Sequence, residues 1–277
     1  MSAHIDGFLH ALERSGLAMH KPGVTADGCL HRYRVEGDKA GSTNGWYVLH
    51  LDEKPFGAFG SWKTGQSETW APGTAETMSA AERQAMAERM AAAKRARDAE
   101  QAAVQTSARK RALDLWEKAK PADSGHAYLA RKAVPAYGIK LLREQLVVPL
   151  RDVDGVLHSL QFIGSDGRKT FLTGGRKRGC YHAIGKPAGA LCICEGYATG
   201  ATIYQATGKA TAVAFDANNL QPVARALRRK FPRLILVIAA DNDTETPGNP
   251  GLTAAKEAAR AVGAVVVHPQ FEGSAHV

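Results

Sequence analysis

The sequence has little cysteine: four in 277 residues, Cys29, Cys180, Cys192 and Cys194, and no C-x-x-C pair. A zinc ribbon needs two such pairs brought together, so zinc is not expected. The thiols read instead as small buried hydrophobes in a reducing compartment. No apolar run is long enough to cross a bilayer and no leader-like segment stands at the amino end. Both absences point to the cytoplasm and away from a membrane. No P-loop pattern occurs, so ATP-driven unwinding is not expected of this chain. Acid is in short supply as well. Against 36 Lys and Arg there are 27 Asp and Glu, a net charge of +9, which favours a polyanionic partner such as nucleic acid.

What is present is organised around two apolar runs that end abruptly in acid. One is Leu191-Cys-Ile-Cys-Glu195-Gly196, the other Leu234-Ile-Leu-Val-Ile-Ala-Ala-Asp241-Asn242-Asp243. Runs this short and β-branched, each followed by a helical pattern, read as buried strands of a parallel sheet. The spacing predicts strands over 190–195, 210–215, 233–240 and 264–267, alternating with helices over 197–207, 219–230 and 251–262. Asn249-Pro250-Gly251 sets the start of the last helix at the same edge. Ligands of such sheets bind beyond the carboxyl ends of the strands, where Glu195, Asp241 and Asp243 would meet. Three carboxylates together repel one another unless a cation joins them, and oxygen-only ligands suit Mg²⁺ or Mn²⁺. Asp216 is a fourth candidate ligand; it could equally cap the helix that follows it.

Upstream, residues 1–75 open with a helical pattern around Phe8 and Leu12. They continue as alternating segments, His31-Arg-Tyr-Arg-Val35, Gly45-Trp-Tyr-Val-Leu-His-Leu51 and Phe56-Gly-Ala-Phe-Gly-Ser-Trp62. This is the signature of a small antiparallel sheet. Its aromatics are the core of that sheet or, where exposed beside Arg32 and Lys63, a surface on which bases stack. Residues 76–120 contain no glycine or proline and are rich in Ala, Arg, Lys and Glu. They read as one long helical linker.

Residues 121–187 carry a hairpin about Asp152-Val-Asp154-Gly155 and then a dense basic stretch. Arg168 and Lys169 precede a strand, and Arg176-Lys177-Arg178 stand in a loop framed by Gly174, Gly175 and Gly179. Glycines let backbone N–H groups approach an anion, and guanidinium groups hold phosphate oxygens.

Glu-Gly at one strand end and Asp-x-Asp at another, on successive βα units, resemble the Toprim domain. Val148-Pro-Leu-Arg151-Asp152-Val-Asp154-Gly155, Leu160-Gln-Phe-Ile-Gly164, Lys169-Thr-Phe171-Leu172 and Gly179-Cys-Tyr181 run in the order of the basic half of DnaG-type primases. The whole length looks most like the Toprim primases of conjugative plasmids and phages. The resemblance implies a C-terminal Toprim domain over 188–277, a Rossmann-like parallel sheet. Before it come a basic α+β primase subdomain (121–187), the helical linker (76–120) and the small β-rich N-terminal domain (1–75). It implies that Glu195, Asp241 and Asp243 are catalytic and hold Mg²⁺ or Mn²⁺. Lys169 then contacts nucleotide phosphates and Arg151 the template. Charge and position add Arg176, Lys177 and Arg178 to the nucleotide site. Arg168, Arg32, Trp62 and Lys63 join the template site on the same grounds.

The implied activity is DNA-dependent synthesis of short RNA primers on single-stranded DNA from NTPs, in plasmid or phage DNA replication, with a replicative helicase as a candidate partner. Two other readings stay open. The same carboxylates in a Toprim nuclease would activate water, and a catalytically weak module would only bind single-stranded DNA. The departures from the family pattern are Thr199, where the replicative enzymes have Asp, and the lack of a later acidic cluster beyond Glu272.

Overall fold

The computed structural model describes residues 2–52, 55–72, 80–241 and 249–269. Their contacts form two compact units, Met1–Ala102 and Ala103–Val277. The division falls inside the long helix.

In the first unit, helix α1 (Ser2–Arg14) packs on a four-stranded antiparallel sheet. Its strands are β1 (His31–Tyr33), β2 (Gly45–His50), β3 (Phe56–Ser61) and β4 (Ser67–Trp70), in that spatial order. Phe8 and Leu12, one helical turn apart, enter a core with Leu17, Met19, Tyr47, Leu49 and Phe59. The Phe8 ring meets Tyr47, Phe59 and Trp70 edge-on, with centroids 5.5–5.8 Å apart. Trp46 is 3% exposed, and the Arg97 guanidinium stacks over its ring at 4.4 Å. Arg97 belongs to helix α2 (Ala80–Lys118), the long helix expected from the composition.

The second unit holds two five-stranded sheets. One is antiparallel, in the order β5 (Lys120–Pro121), β6 (Lys140–Leu142), β7 (Gln145–Arg151), β8 (Leu157–Ile163), β9 (Lys169–Phe171), with helix α3 (Ala127–Lys132) between β5 and β6. The β7–β8 hairpin turns at Asp152–Gly155, where the sequence places it. The end of α2 and the residue after it cover this sheet, through Ala112 and Ala119 against Val147, Leu157 and Leu160.

The other sheet contains β10 (His182–Ile184), β11 (Ala190–Cys194), β12 (Thr211–Val213), β13 (Ile235–Ala239) and β14 (Val265–Val267), ordered β10-β12-β11-β13-β14. The last four are parallel and joined by helices α4 (Tyr197–Thr207), α5 (Ala217–Lys230) and α6 (Pro250–Val262). Alternation along β11 assigns its faces. Leu191 and Ile193 point into the core beneath α5 and α6, while Cys194 points into a core with Tyr197 and Ala201 of α4. That second core also takes Leu146, Val148 and Ile163 from the antiparallel sheet, so the two sheets share one apolar interior. At Gly200, α4 lies close against the strands. A Cβ there would stand 2.8 Å from Val213 Cγ2 and 3.1 Å from Cys194 Sγ.

The four strands expected to be parallel are parallel, and one further strand, β10, adds an antiparallel edge beside β12. That strand lies within 121–187, so the residues expected to form a separate basic subdomain supply an edge of the other sheet. A strand of three residues has no readable periodicity, and its pairing across some thirty residues of chain is a tertiary event. The cysteines also divide: Cys180, Cys192 and Cys194 are buried, but Cys29 is exposed. Burial pushes the thiols of the first three above their ordinary pKa.

His182 on β10 is buried, and its Nε2 lies 2.8 Å from the carbonyl oxygen of Tyr137. Burial lowers its pKa from 6.5 to about 4, the carbonyl contact opposes this, and Arg151 adds to it. The folded protein therefore keeps this ring neutral over a range where the unfolded chain binds a proton. Stability is fully present above about pH 6.5 and is lost as pH falls toward about 4, by on the order of a few kcal/mol. Thermal melts between pH 7 and pH 4.5 test this. A His182→Gln variant should lose less melting temperature over that interval than the parent, and an equal loss would refute the assignment.

Candidate functional site

β11 and β13 are adjacent and parallel, with Cys194 opposite Ala239. Glu195 and Asp241 therefore leave neighbouring strands at the same edge, as their sequence positions require. Helix α6 starts beside them. Its N-cap Asn249 has φ +40, and its second residue, Gly251, lies against both acids. A Cβ added to Gly251 would stand 2.9 Å from the Asp241 carbonyl oxygen and 3.3 Å from Glu195 Oε1. The missing side chain leaves space beside the Glu195 carboxylate that any other residue would fill.

Asp243 lies outside the described residues. Among the described residues no group of three or more His, Cys, Asp or Glu side chains forms a metal cluster. The described donors at this edge, two carboxylates and a carbonyl next to a glycine gap, fit a hard divalent cation. Mg²⁺ takes one or two carboxylates and keeps several waters.

Lys169 approaches the same edge from the other sheet. A Cβ at Gly196 would lie 3.9 Å from its Nζ. Burial lowers the Lys169 pKa, the nearby Asp241 carboxylate opposes the shift, and Lys132 adds to it. One cation and two acids from separate elements thus converge.

The glycine-framed loop is less available than its charge suggests. Arg176 donates from Nη2 to Asp152 Oδ2 (3.3 Å) and from Nε to Cys180 Sγ (3.4 Å). His158 Nε2 shares the same Asp152 oxygen at 2.7 Å. Burial raises the Asp152 pKa, but the His158 ring and the backbone N–H groups of Val156 and Asp154 outweigh it and leave the carboxyl below its usual value. Lys177 is ion-paired with Asp216. Arg178 alone of the three is exposed, with no ion-pair partner among the described residues.

Asp216 is the N-cap of α5, its Oδ1 accepting from the Asn219 N–H at 3.0 Å. Capping and the Lys177 pair occupy both its oxygens, so of its two candidate roles this is the one the structure displays.

Arg151 donates to the Gly155 carbonyl at 2.9 Å across the hairpin turn, with its guanidinium 5.8 Å from the Trp116 ring. Arg168 is exposed at the start of β9. In the first unit, Arg32 stacks 4.4 Å over Trp62 and donates twice to the Thr43 carbonyl. Lys63 pairs with Asp38 and, chiefly through that contact, holds the Asp38 carboxyl below its usual pKa. These three are tied into their own unit by internal contacts.

Sequence reasoning gave no role to Asn219, which is 2% exposed and fully hydrogen-bonded. Its Nδ2 donates to the carbonyls of Ala214 (2.8 Å), Cys180 (2.9 Å) and Lys177 (3.2 Å), and its Oδ1 accepts from the Gly179 N–H (2.8 Å). The side chain fastens the basic loop to the β12–α5 junction. The signal was only a polar residue where the amphipathic pattern of α5 asks for an apolar one. Phe171 and Phe215 were likewise unassigned. They meet edge-to-face at 6.0 Å beside the carboxylate edge.

Residues 190–273 match the Toprim domain model. A DNA primase TraC from Escherichia coli is 38% identical over 96% of this chain, and a second TraC from the same species is 37% identical over 88%. The chain spans only 26% and 18% of those relatives' own lengths. A solved DnaG primase catalytic domain bound to ssDNA aligns with 62% of this chain and 74% of its own, at 13% identity and a TM-score of 0.40. Described residues make no helix long and apolar enough to cross a membrane. The chain carries a Toprim domain, and over nearly its whole length it is similar to part of a larger DNA primase.

Proposed function

We propose that this chain synthesises short RNA primers on single-stranded DNA, joining nucleotides by attack of a 3′-hydroxyl on the α-phosphorus of a nucleoside triphosphate with release of pyrophosphate. The observation that carries the reading is the meeting of Glu195 and Asp241 on adjacent strand ends with Lys169 from the basic sheet. Two acids suit metal, and a cation beside them suits the phosphates such a metal accompanies. The similarity to DNA primase TraC supports the reaction class.

In this reading Glu195, Asp241 and Asp243 hold Mg²⁺ or Mn²⁺. A metal held there would supply a lower pKa for the attacking hydroxyl and offset the charge developing on the transferred phosphoryl oxygens. Lys169 holds triphosphate oxygens, and Arg178 is the loop cation free to join it. Arg176 and Lys177 contribute by shaping the loop, and by contact once their ion pairs exchange partners. Arg151 and Arg168 in the second unit, and Arg32, Trp62 and Lys63 in the first, bind template. A replicative helicase is the partner the resemblance implies, and the cytoplasm the compartment.

The test is incubation with single-stranded DNA, labelled NTPs and Mg²⁺ or Mn²⁺. Short labelled RNAs that require both template and metal are the expected product. Cut DNA without primers would transfer the site to a nuclease, where water replaces the sugar hydroxyl. Binding without either product would leave a DNA-binding module.

A further inference from the structure

We propose that Phe171 and Phe215 form a stacking platform for a nucleobase beside the strand-end carboxylates. The inference rests on the nucleotide-handling reading of this edge and adds the group that would hold the base.

Four observations converge. Phe171 is 38% exposed on β9, the edge strand of its sheet. It stands two residues from Lys169, so both side chains leave the same face of the strand. With Lys169 reaching the Glu195–Gly196 turn, that face is directed at the carboxylate edge. Phe215 closes the arrangement from the Toprim side. Its N–H donates to the Glu195 carbonyl at 2.8 Å, and its ring meets Phe171 with planes at 81°.

The third observation is strain. Phe215 has φ +75, the left-handed region that a bulky aromatic rarely adopts. Strain of that kind persists where surrounding structure enforces it, and it concentrates at ligand sites. Here it holds an aromatic ring at the one edge where acids and a phosphate-binding cation meet. The fourth is charge. The Lys177 ammonium sits over the Phe171 ring, 5.3 Å from its centroid, so a cation already attends one face of the ring and would meet the phosphates of a base stacked on the exposed part. A large apolar surface framed by Lys169 and Lys177 suits a ligand with a flat π-face attached to anionic oxygens. A nucleobase on its phosphate fits that description, and every base offers such a face. It could belong to the incoming nucleotide or to the DNA strand.

Binding titrations with Mg²⁺ present separate the base from the phosphates. ATP is compared with inorganic tripolyphosphate, and an oligo(dT) with an abasic oligonucleotide of equal length, on the parent, Phe171→Ala and Phe171→Trp. Phe171→Ala should weaken ATP or oligo(dT) by about tenfold and leave the matching base-free ligand unchanged. Phe171→Trp should restore the affinity. The arm that responds identifies the source of the base. Equal weakening of base-bearing and base-free ligands, or no weakening of either, would overturn the platform. So would a parent that binds ATP and oligo(dT) no better than their base-free counterparts. Base-selective binding lost in Phe171→Ala by a protein that makes no primers would retain the platform and reject primer synthesis alone.

Discussion

Glu195→Gln and Asp241→Asn each reduce primer synthesis by several orders of magnitude while leaving the melting temperature within a few degrees of the parent. Both side chains sit at strand ends, outside the apolar cores beneath α4, α5 and α6, so their removal opens no cavity. Each substitution keeps shape and removes the negative charge that a divalent cation needs. The loss should appear in kcat at saturating nucleotide, because charge stabilisation matters most in the transition state. Isothermal titration with Mn²⁺ supplies a readout besides turnover: the parent binds, and the double variant binds far more weakly. Normal primer yields from Asp241→Asn would remove the metal assignment. Replacing Gly251 by Val should mimic the acid variants in part, since the new side chain would occupy the space beside Glu195 Oε1.

Asn219→Ala is the largest effect expected away from the carboxylates. The substitution strands the Gly179 N–H and the carbonyls of Cys180 and Ala214, while the Lys177 carbonyl keeps the Cys180 N–H. Buried groups left without partners cost about 1–3 kcal/mol each, and partial relaxation or entry of water would return some of this. A net loss of about 3 kcal/mol corresponds to roughly 10 °C in melting temperature for a unit of this size. Stability alone would not separate a clamp from ordinary packing. The loop spanning Arg176–Arg178 hangs on Asn219, so tripolyphosphate affinity should fall as well, with a shallower dependence on salt. Asn219→Asp keeps the acceptor for Gly179 but turns an anion toward three carbonyl oxygens, and should be no better than alanine. An unchanged melting temperature with unchanged tripolyphosphate affinity would dispose of the clamp.

Much of the second unit could be read from residues in order. β11 and β13 announce themselves as short apolar runs ending in Glu195 and Asp241, and the helix after β13 carries a clear amphipathic pattern. The β7–β8 hairpin follows from alternation around Asp152-Val-Asp154-Gly155. The long α2 follows from the absence of glycine and proline. These features are local, so neighbouring residues determine them. β5, β6 and β10 were not legible, because two or three residues show no periodicity and are strands only where a distant partner supplies hydrogen bonds.

The same division runs through the site. Sequence alone determined that acids end two buried strands, that βα units follow one another, and that the cations before them outnumber what a core could hold. Which cations remain available was decided by the tertiary structure. Asp152 and Asp216 are remote in sequence from the loop, yet they take up Arg176 and Lys177 and leave Arg178 exposed. Folding likewise brought Lys169 to Asp241 across two sheets and set Phe171 against Phe215. Charge is a property of each residue and is visible in a string of letters. The partner that neutralises a charge, or the ring that stacks on another, is a property of distance, and only packing sets distances.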